Sequence, residues 1–275
     1  MSRWIADDID FSAYEHETEF RAQVRRPSVF AEDLDAEFAP RTAGQRRCNM
    51  ASTKLRSAID FRPAEVTVWA GFNGHRKSMF CGQVMLDLID QGERVLAVSL
   101  EMLPRKSLYR MCRQATAHDM PSAERRAEFL SWTDDRLWLF DHVGNLNPRR
   151  CLALCRYFAD ELKGTHVFID SMMKVCESEE SLDEQKKLVG DLCAMGQETG
   201  LHLHLVAHAK KPGTDGETRP PTKYDIRGSS AISDQCHNIV TVWMNKAKRA
   251  EREKSAEAQN ADILAKHDHL VTIEK

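Results

Sequence analysis

The segment Gly71-Phe72-Asn73-Gly74-His75-Arg76-Lys77-Ser78 constrains this chain more than any other. It lies between an apolar, β-branched run at 66–70 and an amphipathic stretch at 78–91, so a strand should lead into a tight turn and the turn should open a helix. In that setting the backbone N–H groups of the turn and of the helix N-terminus point at phosphate oxygens. The lysine supplies a point charge between the outer phosphates, and the hydroxyl after it ligates Mg²⁺. Gly71, Asn73, Gly74, His75, Arg76, Lys77 and Ser78 are therefore the candidate residues for binding ATP or another NTP, with Ser78 also a candidate metal ligand. The Gly-x5-Lys-Ser spacing is kept, but Arg76 stands where glycine is usual. A side chain there is expected to crowd the phosphates or mis-set the loop, which puts hydrolysis in question.

The rest of the chain repeats the same alternation. Short apolar strands are expected at 66–70, 94–99, 137–140, 166–169, 202–207, 239–244 and 270–273. Between them lie helices: one over 78–91 closing at Gly92, one opened by Pro104, one capped by Asn147 and Pro148 and running to Gly164, and one over 182–199 stopping at Gly200. The stretch 246–268 is polar and charge-rich and reads as a solvated helix or loop. Strands alternating with helices predict an α/β fold, a mostly parallel twisted sheet flanked by helices.

Three further residues fall at strand ends. Glu101 follows the strand at 94–99 and is placed to polarise a water attacking a γ-phosphate. Asp170 ends His166-Val167-Phe168-Ile169-Asp170 and can hold Mg²⁺ directly or through water. His208 ends the strand at 202–207, where an imidazole can report on the γ-phosphate. Each is weak alone, but all sit at the strand edge where open parallel sheets bind ligands. His202 and His204 alternate on the last of these strands and are expected to face a helix or solvent rather than a metal. After His208, the run from Lys210 and Lys211 to Arg219 contains Pro212, Gly213 and Gly216 and reads as a loop. It either meets a nucleic-acid backbone or is simply solvated.

The composition fits one domain. At 275 residues, with 42% hydrophobic and 29% charged residues, a second full domain would be cramped. No apolar run is long enough to span a membrane, and the acidic start MSRWIADDID is unlike a signal peptide, so a cytoplasmic chain is expected. The eight cysteines stand alone and read as reduced thiols; Cys151 and Cys155 share a helical face, but no second ligand pair accompanies them. Residues 1–50 lack a sustained period and read as an arm or linker, disordered alone or ordered against a neighbouring subunit. Residues 51–275 form the predicted core.

Three stretches carry a family resemblance: Phe61-Arg62-Pro63-Ala64-Glu65-Val66-Thr67-Val68-Trp69-Ala70-Gly71-Phe72-Asn73-Gly74-His75, Ser99-Leu100-Glu101-Met102 with Pro104, and Asp225-Ile226-Arg227-Gly228-Ser229-Ser230-Ala231-Ile232 with the strand after it. From Phe61 onward the chain resembles the hexameric replicative DNA helicases of the DnaB type, above all phage primase-helicases and mitochondrial Twinkle. That resemblance implies a RecA-like P-loop NTPase core working as a homo-hexameric ring on single-stranded DNA, in a host cytoplasm if phage-encoded, and leaves room for a primase on a separate chain. It also implies Lys77 and Ser78 on phosphate and Mg²⁺, Glu101 as catalytic base, Asp170 as metal ligand and His208 as sensor. Lys210, Lys211, Arg219 and Arg227 would be the DNA-binding residues, Arg227 contacting DNA or coupling subunits. The chain departs from the family at Arg76, at Ala64, where glycine usually makes the turn, and at its end. There the family has an arginine finger from the adjacent subunit a couple of residues after the last strand, and this finger is expected to be missing: either the sequence is a fragment or Lys275 is a poor substitute without the planar fork. Two alternatives stay open: a RecA-type ring ATPase without unwinding, and a hydrolysis-impaired P-loop module that binds DNA.

Overall fold

The computed structural model describes residues 4–5, 27–32, 48–50, 55, 58–176, 181–210, 218–228, 230–255 and 258–275. Its strands are β1 (Trp4–Ile5), β2 (Val66–Gly71), β3 (Val95–Ser99), β4 (Leu137–Phe140), β5 (His166–Asp170), β6 (His202–His208), β7 (Asn238–Met244) and β8 (His269–Ile273). They form one sheet in the order β1-β4-β3-β5-β6-β2-β7-β8. Every neighbouring pair is parallel except β7 and β8. The expected mostly parallel α/β architecture is what the chain adopts, and the seven strands read from sequence are present within a residue or so of their expected ends.

The helices are α1 (Lys77–Asp90), α2 (Pro104–Thr116), α3 (Ala123–Thr133), α4 (Pro148–Asp160), α5 (Leu182–Thr199), α6 (Ser230–Gln235), α7 (Lys246–Arg252) and α8 (Ala261–Ala265). A sheet covered on both faces needs strands apolar on both sides, and β2 meets this with all six residues buried. Val66, Val68 and Ala70 join a core with Leu154 and Phe158 of α4 and Leu188 and Leu192 of α5. Trp69 points the other way, into a core with Val84 and Leu88 of α1, Met111 of α2 and Phe129 of α3. The period of two along the strand thus sorts side chains between two helical layers.

Three expectations need correction. Helix α3 is absent from the sequence reading; its signal was Ser122, whose hydroxyl accepts the Arg125 N–H at 3.4 Å as an N-cap. The excursion at 246–268 is not merely solvated, for Lys248 and Glu251 are buried. Glu251 accepts the Asn260 N–H and the Lys254 ammonium, each at 2.8 Å, while Lys248 binds the Lys266 carbonyl and lies 3.3 Å from Asp268. Buried charges persist where such partners satisfy them. Of the two settings expected for His202 and His204, solvent is excluded: both are buried, and His204 stacks on Phe168 at 3.9 Å. Of residues 1–50, Trp4 and Ile5 pair with Leu139 and Phe140 at the sheet edge; most of the arm lies outside the described residues.

Candidate active site

Sheet order explains why four distant segments meet. β3, β5, β6 and β2 are consecutive neighbours, and their C-terminal ends deliver Glu101, Asp170, His208 and the Gly71 turn to one edge. Ser99 pairs with Asp170, and Gly71 pairs with His208. Gly71 must be glycine because a β-carbon there would lie 2.4 Å from the Val242 carbonyl oxygen of β7. Gly74 turns at φ 78, a conformation that favours glycine.

The backbone of the loop accommodates Arg76. It adopts φ 64 and ψ 26, the left-handed conformation that glycine would take there, and its side chain is exposed. Ala64, at the family's other glycine position, has φ 63. Both departures keep the glycine backbone and carry its steric cost, about 1 kcal/mol each. His75 turns inward and is fully buried; its Nδ1 accepts the Met244 N–H at 3.0 Å, and its ring meets Phe72 edge-on at 5.3 Å. It fastens the loop to β7, while Asn73 and Gly74 remain exposed.

Lys77 is buried at the start of α1. Its ammonium donates to the carbonyl oxygens of Gly71 (2.8 Å) and Phe72 (3.0 Å) and to Nδ1 of His208 (3.3 Å). Because an ammonium can only donate, His208 Nδ1 accepts, so a neutral His208 carries its proton on Nε2. That nitrogen faces Glu101 Oε1 at 3.4 Å, and the same oxygen accepts the Ser171 hydroxyl at 2.8 Å. The His208 bond foremost, with the Ser171 bond, holds Glu101 down at about 2 against its partial desolvation. It stays ionised at neutral pH. Burial pushes Asp170 up, opposed first by a hydrogen bond with Ser78. Burial likewise pushes Lys77 down, opposed first by the Asp170 charge. Ser78 and Asp170 thus bring a hydroxyl and a carboxylate together, the hard oxygen donors that suit Mg²⁺.

Ser171 and Arg110 were missed from sequence. Ser171 directly follows Asp170, a position that could have flagged it; Arg110 lines a cleft with Ser78, Met102 and Asp170, and nothing in its helical spacing marks it out.

The loop after β6 is stapled at its base. Ala209 and Ile226 form an antiparallel bridge, flanked by Lys210 N–H to the Asp225 carbonyl (2.6 Å) and Arg227 N–H to the His208 carbonyl (2.7 Å). Lys210 and Arg227 are exposed there. Arg219, a candidate DNA-binding residue, is exposed and binds Asp225 with both terminal nitrogens, at 2.8 and 3.0 Å. Two parallel bonds to one carboxylate are the strong form of this pair, so Arg219 holds the side chain of Asp225, whose carbonyl takes part in the staple. Lys211 and Ser229 lie outside the described residues.

Among the described residues no helix is long and apolar enough to cross a membrane. Structural comparison finds the ATPase domain of G40P at a TM-score of 0.65 and 13% identity, covering 94% of this chain and 95% of that one. A DnaB-like replicative helicase, solved in a study of its interactions with primase, matches at a TM-score of 0.58 and 13% identity; the match covers 78% of this chain and 55% of that one. The fold is therefore that of RecA-like P-loop ATPases. No curated protein sequence matches the chain. A family model described as an AAA domain matches residues 45–214, more than half the sequence and all four strand ends, so the chain belongs to the AAA domain family.

Proposed function

We propose that this chain is the motor domain of an ATP-dependent replicative DNA helicase, translocating on single-stranded DNA as a homo-oligomeric ring, with six subunits as in the family it resembles. The observation that carries the reading is the continuous contact Lys77–His208–Glu101, with Asp170 and Ser78 beside it. Lys77 would exchange the Gly71 and Phe72 carbonyls for the outer phosphate oxygens of ATP. Ser78 and Asp170 would hold Mg²⁺, which supplies positive charge against those oxygens. Glu101, kept ionised, accepts a hydrogen bond from the attacking water and orients it.

His208 gives this chemistry a route to the loop. Its ring touches Lys77 and Glu101, and its carbonyl accepts the Arg227 N–H, next to the residue that opens the staple. A shift at the phosphates would therefore bear on Lys210 through two contacts. Lys210 and Lys211 would follow the DNA backbone without reading bases. Similarity to a helicase solved for its primase contacts supports a primase on a separate chain as a partner.

The test is ATP turnover by the full chain with and without single-stranded DNA, run beside strand-displacement and strand-exchange assays. The expected result is DNA-stimulated turnover with displacement, and reversing the charges of Lys210 and Lys211 should weaken DNA binding and flatten its salt dependence. Strand exchange without displacement would instead identify a RecA-type ATPase. Nucleotide binding without turnover would identify a hydrolysis-impaired module.

A further inference from the structure

A second cluster of metal-ligating groups lies at the other edge of the sheet, far from Lys77. Glu93 comes two residues before β3, and His166 opens β5, where it pairs with Val95. Cys48 is carried there by the segment before β2: its carbonyl accepts the Phe61 N–H at 2.7 Å. The next residue, Asn49, exchanges two hydrogen bonds with the Gln91 side chain, at 3.1 and 2.8 Å. The Cys48 thiol donates to Glu93 Oε1 at 2.9 Å, and Glu93 Oε2 lies 3.7 Å from His166 Nε2. The three ligand atoms are all within 4.8 Å of one another.

We propose that Cys48, Glu93 and His166 bind a divalent cation of the Zn²⁺ class, fastening the segment before the P-loop strand to the base of the sheet. A tetrahedral ion with bonds of about 2.0–2.3 Å sets its ligands roughly 3.3–3.8 Å apart, close to the spacing already present. Sulfur and imidazole select this class over Mg²⁺, which prefers an all-oxygen shell. His166 supplies an observation independent of the cysteine. Its ring is buried, yet Nε2 faces Glu93 at a distance longer than a hydrogen bond. Glu93 and Cys48 are partly exposed, so water can complete the tetrahedron.

The protons can be followed. The Trp69 N–H donates to His204 Nδ1 at 3.2 Å, so a neutral His204 holds its proton on Nε2 and gives it to His166 Nδ1, also at 3.2 Å. His166 then carries its own proton on Nε2, facing Glu93. Binding sends the thiol proton to solvent and moves the His166 proton to Nδ1. His204 shifts its proton to Nδ1 in turn, and the Trp69 bond is lost. Two hydrogen bonds, Trp69 to His204 and Cys48 to Glu93, are given up for three bonds to the cation.

The experiment titrates the metal-free full chain with Co²⁺, with Mg²⁺ in excess to occupy the oxygen ligands at the catalytic edge. The expected result is one equivalent bound with tetrahedral d–d absorption and a thiolate-to-cobalt charge-transfer band. Cys48→Ser should abolish that band, Glu93→Gln should weaken binding at least ~10-fold, and ATP turnover should not change in either. Absence of the band at millimolar Co²⁺, or its survival in Cys48→Ser, would overturn the proposal. If a variant fails to fold, alkylation of Cys48 in the native chain gives the same answer: Zn²⁺ should slow it at least ~10-fold if bound at the thiolate, and an unchanged rate overturns the site.

Discussion

Lys77 and His208, 131 residues apart, lie with Nζ 3.3 Å from Nδ1 because their elements are anchored by one backbone pairing, Gly71 against His208. The Gly71 carbonyl accepts both the Ala209 N–H (2.9 Å) and the Lys77 ammonium (2.8 Å). The phosphate loop and the start of the basic loop therefore share an acceptor atom.

The left-handed residues give a stability test. Ala64→Gly should raise stability by about 1 kcal/mol, less glycine's larger loss of chain entropy. Arg76→Gly should do the same and leave the loop geometry intact. Urea midpoints measure both; a fall at Ala64 would contradict the assigned φ of 63. If Arg76→Gly leaves ATP turnover unchanged, the arginine side chain neither blocks nor assists the phosphates.

Gly71→Ala should act in the opposite sense. Its new methyl would lie 2.4 Å from the Val242 oxygen, a backbone atom that cannot move aside alone. Separating β2 from β7 should cost about 2 kcal/mol or more and displace Lys77. Denaturation with nucleotide titration checks this, and a variant of unchanged stability and affinity would contradict the close approach.

Acid should open the loop staple. Asp225 is held down at about 2, by the Arg219 guanidinium foremost and then by Thr222. An unfolded aspartate titrates near ~3.9. A depressed carboxylate contributes stability above that unfolded value and loses it as pH falls through its folded value. The contribution should therefore be complete above about pH 4 and disappear toward about pH 2. Asp225→Asn should remove this portion of the pH dependence, measured as urea midpoints across that window, and should weaken single-stranded DNA binding by a few-fold. An unchanged profile would mean that Arg219 is not holding the Asp225 carboxylate.

The chain made its strands legible because β2, β3, β5 and β6 are apolar runs that end in polar residues. Gly71, Glu101, Asp170 and His208 could each be placed at or just past a strand end from that pattern, and Lys77 at the opening of the helix that follows β2. What it left hidden depends on side-chain direction. Nothing in the spacing of His75 says that its ring turns inward to Met244, or that Arg219 finds Asp225 six residues on. The burial of His204 against Phe168 comes from strand register, which joins residues from separate parts of the chain. Residue identity at Arg76 likewise leaves its left-handed backbone unread.

The central claim is that Glu101 acts on a nucleotide held by Lys77, Ser78 and Asp170. Glu101→Gln keeps the size of the side chain and an acceptor for Ser171 while removing the charge. Mg-ATP affinity and single-turnover hydrolysis, measured on the same preparation, test it most directly. Affinity should stay within a few-fold of the native chain while the hydrolysis rate falls by about 10²–10⁴. Hydrolysis at the native rate with Mg-ATP bound would contradict the account.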